Sequence, residues 1–159
     1  MHLALILISL FITSAACPEE EVAMVRLPDG SEFTCEIADT DREHATGLSR
    51  HESLAPDRGM LFVYPFDSGL SFWMPPTMKF NLDILFLDSE RRIIHIAADV
   101  PPCPDPDGWD CPSYGPGDKP GRYVVELAAR TAGDHGLKVG DVLEFVFPPG
   151  YKPPETFRR

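Results

Sequence analysis

The chain reads as one compact domain, mostly β within the α+β class, of mainly antiparallel strands with one or two short helices. Three observations predict this. Apolar runs of five to seven residues recur along the sequence and are separated by turn residues. The stretch from Gly59 to Asp88 holds two such runs, Gly-Met-Leu-Phe-Val-Tyr and Leu-Asp-Ile-Leu-Phe-Leu, on either side of Phe72-Trp73-Met74-Pro75-Pro76. The length of 159 residues suits one hydrophobic core and not two, and no internal repeat is present.

Taken in order, Val22 to Leu27 and Glu32 to Ile37 are strand-like and joined by Pro28-Asp29-Gly30-Ser31, which predicts a hairpin. From Asp39 to Ser53 the period of two is lost. Thr40 or Asp41 can cap a short helix running through Arg50, with Ala45 and Leu48 inward and Gly47 weakening it. Met60 to Tyr64 and Leu70 to Met74 read as two strands parted by a turn at residues 65–69, the second stopped by Pro75-Pro76 because proline supplies no ladder donor. Leu82 to Leu87 is apolar almost throughout, as in a strand buried on both faces. Asp88 to Arg91 turns the chain into a strand from Ile93 to Ala97. Residues 101–120 hold seven prolines and no periodicity, and so form a long loop, a kind of segment that commonly serves function or covers a pocket. A strand at Tyr123 to Leu127, a short helix at Thr131 to Leu137 and a last strand at Val142 to Phe147 complete the domain, 22–147. The Pro-rich tail, 148–159, is expected to be disordered.

The N-terminus sets the expected compartment. Leu3 to Ile12 is an apolar run of ten residues, too short to span a bilayer but suited to the core of a signal peptide. Ser14, Ala15 and Ala16 follow, then Cys17 and the acidic group Glu19-Glu20-Glu21. Residues 1–16 are therefore read as a signal peptide and 17–21 as a short linker, giving an exported protein of the periplasm or cell envelope. Two cleavage readings stand side by side: ordinary cutting after Ala16, or a bacterial lipoprotein signal that lipidates Cys17 and ties the protein to the membrane through that lipid alone. A buried first strand or helix is the bland alternative.

The formal net charge of −11 repels nucleic acid and anionic headgroups, so nucleic-acid binding is disfavoured, and solubility is the plain reading of the acidity. Cys103 and Cys111 frame a short segment whose spacing in an exported chain reads as a loop-closing disulfide. No Cys-x-x-Cys is present for redox work, and no close Cys or His pair accompanies them for zinc. Cys35 lies on the apolar side of Phe33, Cys35 and Ile37 and is expected to be a buried free thiol.

Several ordered blocks also resemble a known family: Gly47-Leu48-Ser49-Arg50, Gly59-Met60-Leu61-Phe62, Phe72-Trp73-Met74, Leu82-Asp83-Ile84-Leu85-Phe86, Tyr123-Val124-Val125-Glu126-Leu127, and Gly136-Leu137 with Gly140-Asp141. Together they resemble the domain-of-unknown-function 192 family over roughly residues 22–147. The resemblance implies a compact β-barrel-like domain with one or two short helices, often exported or lipid-anchored, and carries no enzymatic activity with it. The chain departs from the family pattern at Ser49, where many members have Met, and at the corner 74–79.

Candidate pocket residues are Arg50, Arg58, Trp73, Asp83, Tyr114 and Glu126. Asp83 interrupts an apolar strand, where an unpaired carboxylate is costly, so it requires a cationic or amide partner, with Arg50 and Arg58 as candidates. Such a pair either fixes the fold or holds an anionic ligand group. Trp73, between Phe72 and Met74, is either core or the aromatic wall of a cleft, with Tyr114 and Trp109 able to oppose it. Asp105, Asp107 and Asp110 surround a tight turn and make a weak calcium candidate against a default of solvated acid. His44, His51, His95 and His135 show no metal-binding pair spacing, and neither a Gly-x-Ser-x-Gly elbow nor a phosphate-cradling loop occurs. No cofactor is expected. The leading expectation is a non-enzymatic exported module that binds a small ligand or an envelope protein. The rivals are an enzyme acting on an envelope metabolite or saccharide through an Asp/Arg/Trp-lined cleft, and an accessory lipoprotein with no pocket.

Overall fold

The computed structural model describes residues 21–154, so the expected signal peptide, Cys17 and residues 155–159 lie outside the described residues. Among the described residues seven strands form one sheet: β1 (Val22–Arg26), β2 (Glu32–Ala38), β3 (Arg58–Gly69), β4 (Leu82–Leu87), β5 (Ile93–Val100), β6 (Pro120–Ala128) and β7 (Glu144–Val146). Their order is β5-β4-β6-β3-β2-β1-β7. Every ladder is antiparallel except β2 with β3, whose parallel register (Cys35 opposite Gly59, Ile37 opposite Leu61) demands a crossover. That crossover carries α1 (Asp41–Thr46) and a 3₁₀ turn, Gly47–Arg50. A second short helix, α2 (Thr131–Asp134), follows β6.

Side chains alternate across the strands, and so the sheet has two cores. Leu61, Val63, Leu85, Leu87, Val125 and Leu127 face one side, where Val25 of β1 and Phe145 of β7 join them. Because residues from both ends of the sheet meet there, the sheet curls around that core. Met60, Phe62, Ile84, Phe86 and Val124 face the other side, covered by Leu48, Leu70, Met74 and Met78. β4 is buried along its whole length, as its unbroken apolar run predicts.

The expected barrel is corrected to an open, curled sheet. A single bridge between Arg92 and Val142 touches the two ends together, with no ladder beyond it. The reason is local: carried on in the register of that bridge, the three residues of β7 lie opposite the turn 88–91, which offers no strand to pair with.

Other boundaries also moved. The two strands expected around residues 65–69 are one twelve-residue strand, β3, which accommodates Pro65 where its register against β6 shifts between Val63 and Ser68. Leu70 to Met74 is not a strand; only Phe72 pairs, with Tyr114. Thr40 caps α1 in a full capping box with Glu43, but Gly47, at φ +47°, ends the α-helix and the chain continues as the 3₁₀ turn. The tail expected to be disordered packs on the domain as far as it is described. The Tyr151 ring stacks 4.6 Å from that of Phe147, and its hydroxyl donates to Asp39 at 3.0 Å. Proline content had masked that aromatic anchor. The Cys103–Cys111 disulfide is present, and Cys35 is a buried free thiol whose pKa burial pushes up to about 12.

Candidate functional site

On the second face of the sheet, the crossover and the segment 71–78 stand apart and leave a pocket of about 320 Å³ between them. β6 supplies its acid. Val125 and Leu127 point into the curled core, so Glu126 must point the other way, under the crossover. The residue is 5% exposed, and its carboxyl, which has no hydrogen-bond partner among the described residues, keeps an oxygen open to the pocket. Burial alone pushes that carboxyl from the ordinary range up to about 8. Gly47 is set there by its backbone and not by space: φ is +47°, whereas a β-carbon would make only ordinary contacts, 3.5 Å from the Phe62 ring and 4.0 Å from Glu126 Oε2.

The walls are aromatic. Phe62 and Phe72 meet edge to face at 5.0 Å, and His44 lies tilted over Tyr64 at 4.4 Å. His44 Nε2 is 3.0 Å from the Ala38 carbonyl oxygen, which fixes the ring at the start of the crossover. Tyr64 is pushed up to about 12 by burial and by the nearby Glu126 charge. Trp73, 52% exposed, stands at the rim. Backbone bonds from Phe72 to Tyr114, and from the Cys103 N–H to the Met74 carbonyl, moor this wall to the disulfide-closed loop. A groove of about 500 Å³ lined by Asp39, Asp41, Phe66 and Pro154 adjoins the pocket and shares His44 and Tyr64 with it.

Of the six sequence candidates, the structure places Trp73 and Glu126 in one pocket. Tyr114 backs it through Phe72. Arg50 ends the 3₁₀ turn and the exposed Arg58 begins β3, and neither lines the pocket. Asp83 is fully buried elsewhere, and its partners are backbone amides in place of either arginine: the N–H groups of Asp99 (2.7 Å), Arg130 (3.1 Å) and Ala132 (2.7 Å) donate to it. Asp99 and Arg130 both hold positive φ, 50° and 75°, so this carboxylate pins two unusual backbone turns. Sequence reasoning missed His44, Phe62, Tyr64 and Phe72. Phe62 and Phe72 sat inside the quoted family blocks, but the side Phe62 faces depends on the ladder between β3 and β6, and Phe72 is placed by its bridge to Tyr114, both remote in sequence.

Two further clusters do not form sites. Asp105 accepts from the N–H groups of Asp107, Trp109 and Asp110, which makes it the organiser of its own turn, and among the described residues no three His, Cys, Asp or Glu side chains gather to hold a metal. Ser31, His135 and Asp29 lie together, but serine and aspartate both meet the same ring atom, Nδ1, at 3.2 and 2.7 Å. A relay of the serine-hydrolase kind requires opposite ring nitrogens.

Fold and site define an open-sheet β domain carrying one pocket acid beneath a helical crossover. The chain belongs to the DUF192 family, described as Uncharacterized ACR, whose model matches residues 24–145. Among solved structures it is similar to a protein of Sinorhizobium meliloti 1021 described as a "putative transcription regulator", at 27% identity and a TM-score of 0.66 over 83% of this chain and 98% of that one. It is likewise similar to a protein of unknown function from Novosphingobium aromaticivorans DSM 12444, at 29% identity and a TM-score of 0.67 over 82% and 94%. No curated protein matches the chain.

Proposed function

We propose that the protein is an exported domain of the cell envelope that binds a small molecule in the pocket over Glu126. The observation that carries this reading is the buried carboxyl without a protein partner, opening into a half-enclosed space with aromatic walls. A carboxyl at the floor of an apolar pocket with no protein donor leaves a hydrogen-bonding group free for a ligand to use. Export is supported by the signal-like residues 1–16 and by the disulfide, which suits an oxidising compartment. Lipid on Cys17 remains part of the proposal, to be read by mass spectrometry of the membrane fraction.

An enzyme is the second reading, favoured by the acid's raised pKa, which is suited to general-acid work near neutral pH. Glu126 is the only carboxylate among the pocket-lining residues, so the two-carboxylate machinery of most glycosidases is not assembled there. The Sinorhizobium protein's description is not carried over, because a chain of net charge −11 repels nucleic acid.

The test is a thermal-shift screen of the protein with its disulfide intact against sugars, envelope metabolites, organic cations, anions and calcium. A ligand at a hundredfold excess over its Kd stabilises the fold by about 2.7 kcal/mol. The reading expects a dose-dependent shift that Glu126→Gln or Phe72→Ala reduces. A shift that both variants leave unchanged places the binding elsewhere, and a flat screen moves the weight to a protein partner.

A further inference from the structure

Resting on the pocket reading, we infer that the ligand is a small organic cation, an ammonium group whose alkyl substituents lie against the aromatic walls and whose charge meets Glu126. The lining residues include no lysine or arginine. His44 is the one basic side chain in the lining, and its Nε2 is turned to the Ala38 carbonyl at 3.0 Å, so a cation that displaces the Glu126 proton can take the carboxylate as its own partner. Phe62, Tyr64, Phe72 and Trp73 present π systems, whose faces attract cations, more strongly where water is excluded. Met74 and Met78 add polarizable, apolar surface suited to methyl groups.

Other ligand chemistries fit less well. An anion would face Glu126 with no cationic side chain to hold it. A saccharide needs a dense set of free donors and acceptors, whereas the pocket's Ser49 hydroxyl already donates to the Thr46 carbonyl at 2.6 Å and Ser71 is bonded to Ser113. The volume of about 320 Å³ lies at the small end of ligand sites, which run from about 300 to 1,000 Å³, and suits a head group of a few carbons. The chain's charge of −11 draws cations towards it at long range.

A cation binds the ionised carboxyl, so binding expels the proton that Glu126 holds in the empty protein. Affinity then rises about tenfold per pH unit up to pH 8 and levels off above it. Tyr64 of β3 and His44 of α1 are the other titratable groups facing the pocket. The 3₁₀ turn and the segment 71–78 place no ionisable side chain in its lining.

Calorimetric titration with choline and with its uncharged isostere 3,3-dimethyl-1-butanol, at pH 6 and pH 8, decides the matter. The inference expects choline to bind at least tenfold tighter than the isostere at pH 8, to weaken at least tenfold at pH 6, and to lose that preference in Glu126→Gln with circular dichroism unchanged. Trp73→Ala should weaken choline at both pH values by a similar factor. If the isostere or a sugar binds as tightly as choline at pH 8, the cation inference falls while the pocket reading stands. If neither these probes nor the wider ligand screen binds, both fall together.

Discussion

Glu126 is protonated in the folded chain at pH values where the same residue in the unfolded chain is ionised. Its folded pKa of about 8 stands above the unfolded value of 4.5. The folded state therefore binds the extra proton between those values. Its contribution to stability is complete below about pH 4.5, falls as pH rises to 8, and is flat beyond. Urea unfolding of wild type and Glu126→Gln at pH 5 and pH 8 should show the variant gaining on the order of 3 kcal/mol relative to wild type across that interval. Equal pH dependence in the two would mean that the carboxyl is solvated or paired. Asp83 differs in having partners, because three backbone N–H groups donate to its carboxyl. Asp83→Asn turns one acceptor oxygen into a donor facing those same groups. It should cost about 2–4 kcal/mol and speed amide exchange at Asp99 and Arg130. Both acids were visible in the sequence as charges inside apolar runs. What separates them is their neighbours: Asp83 lies beside two left-handed turns that offer amides, and Glu126 beneath a crossover that offers none.

The helical crossover and the disulfide-closed loop each hold one wall of the pocket, so damage to either should appear in binding as well as in stability. Thr40→Ala removes the capping box of α1 at a cost of about 1 kcal/mol and should loosen the His44 wall. The paired change Cys103→Ser with Cys111→Ser removes the constraint on a short loop and should cost about 2–3 kcal/mol by chemical denaturation. Because the loop moors Phe72 and Met74, ligand affinity should fall further than stability alone explains. If affinity is unchanged once the variant is folded, the loop is only a cover. At this scale the hairpin of β1 and β2, the buried strand β4 and the capped start of α1 were all legible, since each is written in contiguous residues. The merging of residues 58–69 into one strand was not, because the shift that accommodates Pro65 is set by β6, more than fifty positions away.

Across the whole molecule, the charge of −11 makes the folded chain repel itself. Raising salt from about 0.01 to 0.1 M shortens the screening length from about 30 to 10 Å. The melting temperature should rise accordingly, by about 2–4 °C for each kcal/mol relieved at this size. A fall instead would mean that surface pairs such as Arg26 with Glu32 and Glu144 outweigh the repulsion. The strand order also has a temporal side. Neither β3 nor β4 touches the other; β6 lies between them, and β7 returns from near the C-terminus to cover β1. A nascent chain that has emerged only as far as Val100 therefore owns two pieces of sheet with open edges and no ladder between them. The sheet can become continuous only once β6 has been made, because β6 is the strand that pairs with both halves.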